Sequence, residues 1–242
     1  MIVMIKYKHL LTLFTTTLIF ALYQPAAMAS ITLGGTRFLY NASEDSISVN
    51  VNNHDENPYL VQSWVSHYYR SDSERKQNSK SNVPFIITPP LFKISPGDSA
   101  TINIVKSERD NLPKDRESIF YLNVKAIPGI AKNHKSSLMI SVDSSMKLFY
   151  RPETLEGEQA DSAWEKIHFQ QVGNLIKVSN PTPYFVTLYS FTVNSKKTEL
   201  PQNAMLDPFG TLDIPVSEKA RTVSWKALGA QSQITSEKNR TL

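Results

Sequence analysis

Two cations sit in apolar company in a chain that is otherwise chemically quiet. Arg37 falls in Arg37-Phe38-Leu39-Tyr40, and Lys147 in Met146-Lys147-Leu148-Phe149-Tyr150. A cation so placed can snorkel over apolar surface, pair with a carboxylate of its own chain, or stay open to an anion from outside; spacing alone does not choose. Just upstream of Lys147, Leu138, Ile140 and Val142 alternate strictly, until Asp143-Ser144-Ser145 breaks the pattern. Such a row either lines a core or sits at a sheet edge and presents itself to a partner.

Other chemistries find little support. With no cysteine, thiol nucleophiles, thiolate metal sites, iron–sulfur clusters and disulfides are excluded. His54, His67, His134 and His168 stand apart with no HxH, HxxxH or HExxH spacing, so no metal site is expected. No serine lies in a GxSxG elbow and no glycine-rich phosphate loop occurs. Glu44-Asp45 and Asp55-Glu56 fall in turns, where carboxylates solvate and cap, and no opposed pair of a glycosidase kind is evident. Neither an enzyme nor a cofactor is expected.

The elements that must position the two cations read as strands. Two-residue alternation marks Ile31 and Leu33, Arg37 to Asn41, Ile47 to Val51, and Tyr59 to Tyr68, where Val61 and Val65 share one face and Leu60 and Trp64 the other. Phe85 to Thr88, Thr101 to Val105, Ile119 to Val124 and Leu138 to Tyr150 follow, separated by turn sequences such as Ser95-Pro96-Gly97-Asp98 and Ile127-Pro128-Gly129. Seven or so short strands in this length predict a two-sheet sandwich, because antiparallel strands with one dry face need a second sheet to cover it. A charged stretch from Arg151 to Glu158 then separates a second run: Trp164 to Gln171, Leu175 to Asn180, Tyr184 to Val193, Thr211 to Val216 and Thr222 to Ala227. The expected organisation is a first sandwich over 30–150 and a smaller one over 151–242, and no window carries a sustained helical stripe.

Residues 1–29 read as a secretory signal. Lys6 and Lys8 precede an apolar run from Leu10 to Leu22, and Ala27-Met28-Ala29 predicts cleavage between Ala29 and Ser30. Thr12, Thr15, Thr16 and Thr17 dilute the run, which is also shorter than the ~20 apolar residues a bilayer requires. The product is therefore expected to be exported, with no stable membrane insertion once the signal is removed. The 242-residue chain has a formal charge of +4, two of which Lys6 and Lys8 carry, so the remainder is too near neutral to imply nucleic acid.

Taken in order, the stretches Gly35–Tyr40, Pro58–Trp64, Thr88–Phe92, Leu112–Asn123, Ile127-Pro128, Lys147–Pro152 and Asn180–Tyr184 resemble periplasmic pilus (fimbrial) assembly chaperones of the PapD-like type. The resemblance covers nearly the whole chain after the signal and weakens near the C-terminus. It implies an all-β protein of two immunoglobulin-like sandwiches, arranged as a boomerang with a cleft between them. It also implies a periplasmic, ATP-independent chaperone that binds fimbrial subunits lacking a strand, completes them by donor-strand complementation and delivers them to an outer-membrane usher. On that resemblance Leu138, Ile140 and Val142 are the donated row, and Arg37 and Lys147 grip the subunit's C-terminal carboxylate, which sets the register of the added strand.

The remaining matched positions imply structural roles. Thr88-Pro89 resembles the family's cis-proline site, although sequence does not show the isomer. Glu117 and Arg151 resemble partners in an ionic contact that orients the domains. The family's third partner, an aspartate after the late tryptophan, is missing from Trp225-Lys226-Ala227-Leu228-Gly229-Ala230, so another contact must replace it. The short connection from Pro128 to Leu138 resembles the short-loop subclass that serves rod-like pili. A homodimer in which the free protein caps its own strand is left open. The alternative function is a structural or adhesive two-domain component of a surface fibre, against which two complete strand sets and Lys147 at a domain junction argue.

Overall fold

Alternation in the sequence becomes alternation in burial. Along one strand Tyr59, Val61, Ser63 and Val65 are buried while Leu60 and Gln62 face solvent. A computed structural model describes residues 30–70, 83–107, 112–129 and 139–242. The first sandwich is built from β1 (Ile31–Leu33), β2 (Arg37–Asn41), β3 (Ser46–Asn53), β4 (Tyr59–His67), β5 (Phe85–Thr88), β6 (Leu91–Ile94), β7 (Ser99–Lys106), β8 (Ser118–Pro128) and β9 (Val142–Arg151). One sheet has the order β1-β3-β7-β5 and the other β2-β9-β8-β4-β6. Val49, Val51, Ile102 and Ile104 of the first sheet meet Val61, Leu122 and Leu148 of the second in one core. The Thr88–Pro89 peptide is cis, and Ser63 N–H donates to the Pro90 carbonyl at 2.9 Å.

Two features of this sandwich matter for the site. First, the chain changes sheets between β1 and β2, Gly34 N–H still bonding to the Asn50 carbonyl before β2 joins β9 in parallel. All other named pairings are antiparallel. Second, β9 begins at Val142 rather than at Leu138. Its pairing with β8 ends at Val142 opposite Ala126, and two steps further Ile140 would face Pro128, which has no N–H to donate. Gly129 then bonds to Pro58 instead of continuing the ladder. Ile140 is described but lies outside any strand, and Leu138 lies outside the described residues, as does most of the short connection before it.

A turn-rich linker with 3-10 turns at Glu153–Leu155 and Ala163–Glu165 and one helical turn, α1 (Glu158–Asp161), leads to the second sandwich. Trp164, expected in a strand, lies in the second 3-10 turn. There its carbonyl accepts from the buried Trp225 indole N–H at 3.0 Å. The strands are β10 (His168–Val172), β11 (Leu175–Ser179), β12 (Val186–Val193), β13 (Lys196–Thr198), β14 (Met205–Leu206), β15 (Thr211–Pro215), β16 (Thr222–Leu228) and β17 (Lys238–Thr241). They form a sheet β10-β11-β15 and a facing sheet β13-β12-β16-β17, with β14 also paired to β12. Phe169, Ile176, Ile214, Phe191, Val223 and Trp225 fill the space between them. The sequence reading missed β13, β14 and β17. Each is short, and Lys238-Asn239-Arg240-Thr241 has no apolar alternation, holding on instead through Arg240 Nη1 donating to the Ile167 carbonyl at 2.8 Å. Among the described residues no helix is long and apolar enough to cross a membrane.

Candidate functional site

The parallel register of β2 and β9 sets Arg37 directly beside Lys147, then Phe38 beside Leu148 and Leu39 beside Phe149. In both strands the even-numbered residues point into the core, so Arg37 and Lys147 emerge together on the outer face of the five-stranded sheet. The Arg37 guanidinium lies over the Phe149 ring at 4.7 Å, and its Nε is buried with no hydrogen-bond partner. Burial pushes its pKa down, opposed by the field of Glu117. The Lys147 ammonium donates to Asn203 Oδ1 at 3.4 Å and lies 5.8 Å from the Tyr68 ring. Its pKa is pushed down too, first by burial and then by Arg37 and Arg70.

Neither cation is in an ion pair among the described residues. Two half-buried positive groups side by side, each costly in its charged form, make a site that an incoming anion relieves on both counts. A carboxylate with two oxygens can accept from both at once. No trio of metal-ligating side chains occurs among the described residues.

Glu117, on the neighbouring β8 flank, is neutralised elsewhere. It is 5% exposed, and its Oε1 accepts from Arg151 Nε at 2.8 Å while its Oε2 accepts from the Phe185 N–H at 2.8 Å. Burial pushes its pKa up; the Arg151 charge, the Phe185 N–H and Arg37 offset this. Because Phe185 belongs to the second sandwich, and Glu117 N–H also donates to the Pro183 carbonyl at 2.9 Å, this carboxylate ties the two sandwiches together. Both of these contacts between Glu117 and the second sandwich use backbone groups of Pro183 and Phe185. Trp225 to Ala230 supplies no carboxylate; Gly229 and Ala230 merely line, with Arg37, Phe149, Arg151 and Trp164, a cavity of about 160 Å³ at the junction.

The two cations also mark the end of an open sheet edge. β2 covers β9 only from Lys147 to Arg151, so among the described residues Val142 to Met146 are paired on the β8 side alone. Along the core-facing side Met146, Leu148 and Tyr150 are buried, while Val142 is 57% exposed and Ile140 66%. The two described members of the apolar row are therefore exposed among the described residues. Three residues that the sequence reading did not single out complete the surroundings. Tyr121 pairs with Lys147 across the ladder, Tyr68 packs against Tyr121 with ring centroids 5.0 Å apart, and Asn203 arrives from the second sandwich. Tyr68 could have been found as the aromatic end of a strand; nothing local flags Asn203.

Comparison with known proteins bears on what this geometry serves. Residues 30–156 match the family model described as pili and flagellar-assembly chaperone, PapD N-terminal domain. Residues 162–234 match that of pili assembly chaperone PapD, C-terminal domain. Chaperone protein LpfB of Salmonella typhimurium is 36% identical over 214 residues, covering 86% of this chain and 87% of its own. The SafB chaperone with the SafA pilin of Salmonella enterica, solved as a complex, gives a TM-score of 0.74 at 26% identity over 90% of this chain and 99% of the other. The periplasmic chaperone SfaE gives 0.70 at 29% identity, over 88% and 100% respectively.

Proposed function

The chain belongs to the PapD-like family of pilus-assembly chaperones, and from that premise we propose that it captures fimbrial subunits in the periplasm by lending them the free edge of β9. The observation that carries this reading is the coincidence of two things at Lys147: the open edge of β9 stops there, and Arg37 and Lys147, in no ion pair among the described residues, stand there. A chain pairing with Val142 to Met146 and ending with its carboxylate on these cations must run in the same direction as β9. It would be collinear with β2, which already pairs in parallel. Anchoring the last carboxylate fixes the register of every residue before it.

The row Leu138, Ile140 and Val142 then enters the groove left by the subunit's missing strand. Burying three such side chains contributes very roughly 5 to 9 kcal/mol gross, before the cost of ordering the two chains. That is enough for a stable complex, yet leaves room for a better-fitting donor segment of the next subunit to displace the lent strand without nucleotide hydrolysis. Delivery would be to an outer-membrane usher. Export by residues 1–29, with cleavage before Ser30, completes the reading; intact mass of the exported protein checks it, and a mass retaining Ala29 would move the site.

Co-expression with a fimbrial subunit tests the anchor. The wild-type chaperone should co-purify with the subunit, and Lys147→Ala should fold normally yet recover almost none. Co-purification of Lys147→Ala at wild-type yield would overturn the carboxylate anchor.

A further inference from the structure

The Lys147 ammonium is held by the other sandwich. Asn203, in the segment between β13 and β14, accepts from Lys147 Nζ through Oδ1 at 3.4 Å, and through Nδ2 donates to the Tyr68 hydroxyl oxygen in a short contact. Tyr68 in turn packs on Tyr121, the cross-strand neighbour of Lys147. The same stretch is strapped down two residues further on, where Arg70 Nη2 donates to the Met205 carbonyl at 3.1 Å and pairs with Asp207. Asn203 thus sits in a closed ring of contacts, Lys147–Asn203–Tyr68–Tyr121, that spans both sandwiches.

The chemistry of the amide matters. A neutral carbonyl oxygen can orient an ammonium without cancelling its charge, whereas a carboxylate at the same place would form an internal ion pair and satisfy the lysine before any ligand arrived. We propose that Asn203 is a positioning residue for carboxylate capture: the second sandwich aims Lys147 while keeping it unneutralised, so the anion site is assembled only when both sandwiches are in place. This rests on the reading of Arg37 and Lys147 as a carboxylate anchor and adds a residue to it.

Asn203→Asp is the discriminating variant, because it is isosteric and the Tyr68 hydroxyl can donate to the new carboxylate, so the ring persists while the lysine becomes paired. The probe is a short peptide of alternating valine and threonine, prepared with a free C-terminal carboxylate and with a C-terminal amide. Wild type should bind the carboxylate form more tightly. Asn203→Asp should weaken that form about tenfold and leave the amide unchanged. Asn203→Ala should weaken it by a smaller factor, about fivefold, through loss of aim alone.

A second readout separates positioning from mere packing. The Lys147 titration, followed by NMR of the labelled side chain among its neighbours Arg37, Arg70, Tyr68 and Tyr121, should move upward in Asn203→Asp. An unchanged thermal midpoint would show that the fold is intact. If wild type itself does not prefer the carboxylate peptide, the anchor reading falls and this proposal with it. If wild type prefers it and Asn203→Asp keeps the same preference, the proposal alone is overturned.

Discussion

From Lys147 to Tyr150, β9 is flanked on both edges, by β8 and by β2, and its core-facing side chains Leu148 and Tyr150 are buried. From Val142 to Met146 it has β8 alone among the described residues, and Val142 and, before the strand begins, Ile140 are exposed. Residue types distinguish the halves only in part, since Val142 and Met146 flank Ser144 on the core-facing side of one and Leu148 and Tyr150 hold that side of the other. What differs is whether a neighbouring strand continues alongside, and that is decided by the chain crossing to the other sheet just before Arg37. The charged groups follow the same division. At the covered end Arg151 has Glu117; at the border of the open end Arg37 and Lys147 pair with no carboxylate among the described residues. One end is finished within the molecule; the other, on the reading proposed above, is finished by a partner.

This contrast can be broken from either side. The largest effect is expected at the covered end: Glu117→Ala leaves Arg151 buried and uncompensated and removes the tie to Phe185, which should destabilise the protein by about 3 to 5 kcal/mol in denaturant unfolding. An effect within experimental error would mean that the pair does not hold the junction. Arg37→Met should do the reverse at the border, lowering subunit affinity by about 2 to 5 kcal/mol while leaving the thermal midpoint equal to or above wild type, because a buried unpartnered Nε is removed. A large loss of stability instead would place Arg37 with the structural cations.

At the open end, Ile140→Asp should weaken capture by about 1.5 to 3 kcal/mol, the burial of one large aliphatic side chain, with no change in the free protein. Undiminished co-purification would show that some other strand is lent. The smallest effect sharpens the electrostatic side. Glu117 has its pKa raised by burial, so between the ordinary value of 4.5 and that raised value the folded protein keeps a proton that the unfolded chain has released. Its contribution to stability is therefore fully present below the ordinary value and is lost as pH rises through the raised one. Glu117→Gln should flatten that part of the stability profile; an unchanged slope would assign it to another group.

Much of this was legible in the residues. Alternation placed most of the long strands. The order of the motifs pointed to two immunoglobulin-like sandwiches and to a pilus chaperone, which the family matches establish. Arg37 and Lys147 stood out as cations among apolar neighbours, but sequence could not tell whether they were paired. The start of β9 was misplaced because the limit is imposed across the ladder, by the missing N–H of Pro128, and not by anything in Leu138 to Val142 itself. β17 was missed because an edge strand held by polar contacts has no apolar period to read.

Local periodicity and charge are properties of neighbouring residues, so the sequence alone determined the strand-rich class, the apolar row and the presence of the two cations. Whether an edge is open, whether a buried charge has a partner, and that Asn203 meets Lys147 across 56 positions depend on atoms brought within a few ångströms from remote parts of the chain. Pairing and desolvation act over such distances and no further, and only the folded arrangement of both sandwiches could decide them.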